Sequence, residues 1–151
     1  MKFVLVDRIL ELNPGKTIVA TKVLGAGEEL FRDHFPGFPV VPGVLLTEMM
    51  AQAAGKCLDA EQNPRGKAML GKILSATFKR WVVPDEPVVI FARIESNRSD
   101  YATAKCHVEV GGKMASSAEL FFVFVPKEQF APGYVDDVLE SYLSGNAAQH
   151  E

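Results

Sequence analysis

Cysteine is scarce in this chain, and its scarcity argues against two kinds of small protein. Cys57 and Cys106 are its only cysteines, and they are far apart in the sequence. A disulfide scaffold needs several cysteines, and a zinc site needs ligands at short spacing. We therefore expect both thiols to stay reduced and to pack as small apolar side chains, with no metal bound.

Long uncharged apolar runs are also absent. The chain begins MKFVLVDRIL, in which Asp7 and Arg8 interrupt the apolar stretch before any small-residue cleavage site, so a secretory signal is not expected. No stretch stays apolar over the length that a bilayer requires. The net charge of -3 supplies no field for nucleic acid or an anionic membrane. We expect a cytoplasmic protein that binds neither.

What is present is the composition of an ordinary globular protein, with 48% hydrophobic and 23% charged residues. A chain of 151 residues can bury one core without covalent staples. We predict a single domain over residues 1–126 and a C-terminal extension over residues 127–151. Within the extension, Val138, Leu139 and Tyr142 have the spacing of a short surface helix, followed by a frayed end.

Six stretches are rich in β-branched and aromatic residues and are bounded by turn residues, which is typical of strands. We predict these strands at residues 3–12, 17–24, 68–80, 87–97, 101–110 and 113–125. Pro14 and Gly15 favour a tight hairpin turn between the first two. Residues 31–43 contain three prolines and two glycines, which predicts a rigid loop without regular structure.

Residues 43–58 have apolar side chains on nearly every side of a predicted helix. Such a helix must be covered by other elements, and the strands that flank it in the sequence can cover it. The order of hairpin, helix and four strands therefore predicts an α+β fold, in which one curved antiparallel sheet surrounds a central helix.

Glu48 interrupts an otherwise apolar stretch of this helix, and Gln52 lies one turn later on the same face. Burial among apolar groups favours the neutral form of a carboxyl group, so Glu48 could deliver a proton to a leaving hydroxyl. The alternative is a glutamate on the exposed rim of the helix, or one satisfied by a neighbouring backbone donor. The helix alone leaves both interpretations open.

His34 lies in the predicted loop, directly before residues 35–37. A histidine can accept a proton near neutral pH, although an isolated one is more often structural or exposed. Its setting favours function, because prolines brace the loop and Gly43 begins a helix whose first N–H groups have no internal acceptor. Those N–H groups could bind a thioester carbonyl.

These three residues match the needs of one reaction, the removal of water from a 3-hydroxyacyl thioester. The reaction requires a base at carbon 2, an acid at the carbon 3 hydroxyl, and a donor for the enolate-like oxygen. His34 is the candidate base and Glu48 the candidate acid. The backbone N–H of Gly43, aided by the helix dipole, is the candidate oxyanion donor.

Residues 34–55, HFPGFPVVPGVLLTEMMAQAAG, resemble the signature of the β-hydroxyacyl-acyl carrier protein dehydratases of type II fatty acid synthesis. FVLVDR at residues 3–8 and FKRWVVP at residues 78–84 resemble further segments of that family. The resemblance implies a hot-dog fold and a homodimer joined edge to edge, and the sequence leaves a higher assembly of dimers open. The same resemblance implies that His34 and Glu48 from different chains meet at the end of an apolar acyl tunnel. Because no nucleotide or metal-binding motif is present and elimination of water needs no redox cofactor, we expect no cofactor.

The resemblance also implies where the substrate and its carrier bind. We expect the tunnel to be lined by six residues: Phe35, Pro42, Val44, Gln52, Met69 and Leu70. Because an acyl carrier protein is usually acidic, Lys79 and Arg80 are the candidate docking residues, with Lys56 or Arg32 as further candidates. Ordinary solvated charge is the alternative interpretation of these cations.

Two other functions stay open from the sequence. Hot-dog folds also host thioesterases, in which a carboxylate and helix-end amides activate water, and fold analogy alone does not exclude them. The third hypothesis is a non-catalytic subunit that binds an acyl carrier protein without converting the acyl group. The complete His34-to-Glu48 pattern favours dehydration over both.

Overall fold

Alternating apolar side chains build one antiparallel sheet. Along the fifth strand, for example, Ala102, Ala104, Cys106 and Val108 are buried while the residues between them face outward. The computed structural model describes residues 3–34, 36–62, 64–130 and 133–145. Its strands are β1 (Arg8–Asn13), β2 (Thr17–Lys22), β3 (Lys67–Phe78), β4 (Val88–Asn97), β5 (Tyr101–Val110) and β6 (Lys113–Val125).

The strands are ordered β1-β2-β4-β5-β6-β3, so β1 and β3 are the two edges of the sheet. All neighbouring pairs are antiparallel. The two edges differ: β1 has 6 residues, whereas β3 has 12 and is exposed from Met69 to its end at Phe78. The β3 edge is therefore long and uncovered within one chain.

The central helix, α2 (Gly43–Asp59), lies against this sheet and contacts β2, β3, β4, β5 and β6. Every residue in the range 45–58 is buried except Glu48 and Gln52. This arrangement confirms the predicted α+β fold, because a helix that is apolar on most sides is stable only when other elements cover it. No helix in the described parts of the chain is both long enough and apolar enough to span a bilayer.

The predicted first strand was too long. Residues 3–7 form no strand, and β1 begins at Arg8. Leu5 and Val6 are fully buried, but the Leu5 N–H donates to a side chain of α2, the Oε1 atom of Gln52, at 2.8 Å. The apolar pattern here reflects burial beside the helix, which periodicity does not distinguish from a strand. We call residues 3–7 the N-terminal segment.

The prediction of a loop without regular structure over residues 31–43 was also wrong at its start. A short helix, α1 (Leu30–Asp33), occupies that position and buries Phe31. Within residues 31–43 the first proline is Pro36. Because proline restricts mainly the residue immediately before it, the residues up to Asp33 can form a helical turn. The described residues from Gly37 to Pro42 are irregular, as expected.

After β6 the chain forms a 3₁₀ turn (Lys127–Gln129) and a last helix, α3 (Asp137–Leu143). The Asp136 side chain caps α3 by accepting from the Leu139 N–H. Leu139 is buried, and Val138 and Tyr142 pack against the core. The division into a domain and an extension stays a prediction, and the predicted frayed end, residues 146–151, lies outside the described residues.

Candidate active site

A groove runs along the face of α2 that carries Glu48, Gln52 and Lys56. These residues are four apart, so they lie one above another on the helix. The groove has a volume of about 720 Å³. Its other walls come from the N-terminal segment, from β3 and from residues 134–138. We call it the α2 groove.

Glu48 is half-buried in this groove and is held by one neighbour. The Nε2 atom of Gln52 donates to Oε1 of Glu48 at 3.1 Å and to the Phe3 carbonyl at 3.0 Å. The Oε1 atom of Gln52 accepts from the Leu5 N–H. Because both ends of the amide are engaged, the orientation of Gln52, and with it the position of the Glu48 carboxyl, is restricted.

His34 lies at the end of α1, where its backbone turns to φ -89 and ψ 107. Its N–H donates to the Leu30 carbonyl at 3.0 Å, and the residue is half-buried. His34 is not among the described residues that line the α2 groove. A single chain therefore does not bring His34 and Glu48 together in this groove.

Gly43 begins α2, so its N–H has no acceptor within the helix. A Cβ atom at this position would lie 3.0 Å from the ring of Phe78, the last residue of β3. The N-terminus of α2 therefore lies directly beside the open edge strand. Glycine at this position permits the close approach.

The six predicted tunnel residues are only partly brought together. Gln52, Met69 and Leu70 line the α2 groove with Glu48. Pro42 and Val44 do not line it, and Val44, at the start of α2, is 73% exposed. Phe35 lies outside the described residues.

Most of the other lining residues were missed, among them Phe3, Val4, Tyr134 and Val135. The sequence predicts Phe3 and Val4 to lie in a strand, and their apolar side chains were the available signal for the groove. Tyr134 and Val135 form an apolar pair between Gly133 and the α3 cap, but local sequence does not indicate which surface such a pair meets.

Family comparison identifies the chain. The sequence-family model described as the FabA-like domain matches residues 1–119 of this chain. The chain belongs to the FabA-like family. A Levilactobacillus brevis protein named 3-hydroxyacyl-acyl-carrier-protein dehydratase FabZ is 44% identical over 118 residues, which cover 78% of this chain and 80% of the relative. A Ruminiclostridium cellulolyticum protein of the same name is 38% identical over 121 residues, covering 80% and 85%.

Solved structures share the fold of this FabA-like chain at low identity. An uncharacterized Pyrococcus horikoshii protein superposes with a TM-score of 0.66 at 15% identity. The superposition covers 84% of this chain and 88% of the Pyrococcus horikoshii chain. A Streptococcus pneumoniae protein described as a hypothetical thioesterase, solved with coenzyme A, has a TM-score of 0.62 at 10% identity, covering 79% and 85%. The predicted hot-dog fold is confirmed.

The candidate docking cations of this FabA-like chain occupy different environments. Lys79 and Arg80 follow β3 and are exposed, with both backbone N–H groups donating to the Ala115 carbonyl. Arg32 is exposed on α1. Lys56 is buried, and its Nζ atom lies 2.7 Å from Oδ2 of Asp136. The prediction that Lys56 could dock a carrier was wrong, because its side chain is buried and already paired with Asp136.

The two cysteines have the environments that the sequence predicts. Both are free and buried. Burial raises the pKa of Cys57 to about 11 and that of Cys106 to about 12, because desolvation disfavours the thiolate. Within the described residues, no three side chains of His, Cys, Asp or Glu are grouped closely enough to hold a metal ion.

Proposed function

We propose that this chain removes water from a (3R)-hydroxyacyl thioester carried on acyl carrier protein and forms the trans-2-enoyl thioester. One observation supports it most directly. Glu48, held by Gln52, faces a mostly apolar groove on a chain that is 44% identical to a protein named as this dehydratase. A carboxyl group held in place beside a groove of this size can reach a bound substrate and deliver a proton to it.

In the proposed reaction, His34 takes the proton from carbon 2. The electron pair of that C–H bond forms the new double bond to carbon 3 as the C–O bond breaks. Glu48 protonates the leaving hydroxyl, which departs as water, and the Gly43 N–H stabilises negative charge on the thioester oxygen. The proton on His34 then returns to the carboxylate through solvent. No electron is gained or lost overall, so we expect no redox cofactor.

The site is proposed to form between two chains of a homodimer. The edge strand β3 pairs only with β6 among the described strands, so its other side presents unpaired backbone groups. Ile73, Leu74 and Phe78 on this strand are exposed apolar side chains. Pairing of β3 with the partner's β3 would cover both features. It would also account for a groove that holds Glu48 without His34.

The proposed protein partner is the acyl carrier protein. Lys79 and Arg80 are exposed beside the same edge, where an acidic carrier could reach them. Charge reversal at both positions is expected to raise KM for a carrier-bound substrate but not for the matching coenzyme A thioester. If charge reversal leaves KM for the carrier-bound substrate unchanged, or changes KM equally for both substrates, the docking role is rejected.

A cytoplasmic location stays a prediction from the sequence.

The deciding experiment measures two products at once. Purified protein is given a 3-hydroxyacyl-carrier substrate, and enoyl absorbance and free thiol are recorded together. Dehydration gives enoyl product without thiol, whereas a thioesterase releases thiol. A non-catalytic subunit binds the substrate and forms neither product, so either of these outcomes rejects dehydration.

The residue assignments are tested in the same assay. We expect His34→Ala and Glu48→Gln each to lower the rate at least about 100-fold. His107→Ala is the matched control, because His107 is also half-buried but lies in β5, stacked on Phe91 and bonded to Glu109. Its rate should stay within about 2-fold of the parent. A normal rate in either site variant removes that residue from its proposed role.

A further inference from the structure

The α2 groove has one wall that the family match does not include. The match ends at residue 119, yet Tyr134 and Val135 line the same groove as Glu48. We propose that Tyr134 and Val135 set the length of the acyl chain that the groove accepts. This inference rests on the proposed function and adds a determinant of substrate specificity to it.

A buried ion pair anchors this wall to the helix. Lys56 and Asp136 lie 2.7 Å apart, and their side chains are only 9% and 13% exposed. A lysine buried beside an apolar groove requires such a partner, because an unpaired buried charge is costly. Asp136 directly follows Val135 in the chain, so the pair also fixes where Val135 lies.

The same aspartate is bound a second time. Its Oδ1 atom accepts from the Leu139 N–H at 3.1 Å and caps α3, while Leu139 is buried in the core. On the other side, the Tyr134 ring packs edge to face against Phe130, with centroids 5.0 Å apart. Tyr134 and Val135 therefore lie between the doubly bound Asp136 on one side and the Phe130 ring on the other, which restricts their position as a specificity wall requires.

The position of the anchor along α2 gives the direction of the groove. Glu48 and Lys56 are eight residues apart on one helix face, which corresponds to about 12 Å along the axis. An acyl chain that begins beside Glu48 and follows the helix would pass Ala51 and Gly55, which leave space beside the backbone. It would then meet Tyr134 and Val135 near Lys56.

The surface of this wall is suited to an acyl tail. Tyr134 and Val135 are 51% and 58% exposed, and Met69 and Leu70 across the groove are also exposed. Facing apolar side chains around one groove form a surface that gains free energy when an apolar ligand covers it. Four residues from two separate parts of the chain contribute to it.

The test compares kcat/KM over a series of 3-hydroxyacyl thioesters of increasing chain length. The variant Tyr134→Ala with Val135→Ala opens the wall, and we expect the ratio of long-chain to short-chain kcat/KM to rise at least about 10-fold. Val135→Trp fills the space and is expected to lower the same ratio. Tyr101→Ala and Val23→Ala are controls, because neither residue lines the groove. An unchanged ratio in both wall variants overturns the inference.

A binding measurement separates this inference from the proposed function. Calorimetric titration of the same proteins with saturated acyl thioesters of each length needs no turnover. If no length is dehydrated but the wall variants shift the length limit for binding, the proposed function fails and the inference holds. If dehydration occurs and the wall variants change neither the kcat/KM ratio nor the length limit for binding, the inference alone fails. Absence of binding at every length overturns it as well.

Discussion

Gln52 connects the candidate acid Glu48 to the start of the chain. Its amide nitrogen lies 3.1 Å from the Glu48 carboxyl and 3.0 Å from the Phe3 carbonyl, and its oxygen accepts from Leu5. The sequence predicts a substrate-binding role for Gln52. These contacts indicate that it also acts as a positioning residue, since one side chain holds both the acid and the N-terminal segment that lines the groove.

Gln52→Met tests this positioning role, because it keeps the length of the side chain and removes its hydrogen bonds. We expect kcat to fall about 10- to 100-fold with a smaller change in KM, since a misplaced acid affects the chemical step more than binding. Gln129→Met is the control, on an exposed residue of the 3₁₀ turn. A loss of thermal stability with unchanged kcat would reduce Gln52 to a structural role.

The proposal that His34 and Glu48 act from different chains has a direct test by subunit mixing. A heterodimer of His34→Ala and Glu48→Gln chains contains one site with both native residues and one with neither. We expect two inactive proteins, unfolded together and refolded, to regain about a quarter of the native activity, because about half of the dimers are mixed. If the mixture stays inactive while native protein survives the same treatment, both residues belong to one chain.

The core of the fold could be predicted from the sequence where the local pattern was unambiguous. The strands β5 and β6 have the predicted ends because their apolar residues alternate and a glycine pair separates them. Gly111 and Gly112 adopt φ values of 59° and 76°, which other residues rarely adopt. The central helix was equally clear, since most of residues 45–58 are apolar and all of them except Glu48 and Gln52 are buried.

The site could be predicted only in part, because it depends on contacts between distant residues. In the sequence, Lys56 is indistinguishable from a surface cation. Its partner, Asp136, lies 80 residues later, and only the structure brings the two together. The N-terminal segment reads as a strand because burial against a helix and burial in a sheet give the same apolar pattern. The wall of the groove formed by residues 134–135 depends on the first of these contacts, because Asp136 directly follows Val135.

The open edge of the sheet predicts how the proposed dimer can be broken. Ile73→Lys places a charge on the exposed, 12-residue edge strand β3, and we expect the native mass to fall to that of a monomer with loss of activity. Leu10→Lys is the matched control, because Leu10 is a similarly exposed residue on β1, the opposite edge. If both variants keep the native mass, measured by light scattering, β3 is not the interface.

The buried thiols predict how stability depends on alkaline pH. Burial raises the pKa of Cys57 from 9.0 to about 11, so folding favours the protonated thiol. This contribution is fully present below the unfolded pKa and is lost as the pH rises through the folded pKa. We expect Cys57 to account for about 2 kcal/mol of the unfolding free energy lost between about pH 8 and pH 10.5. Urea unfolding at both pH values should show a correspondingly smaller loss in Cys57→Ala; an equal loss would mean that other groups cause the alkaline sensitivity.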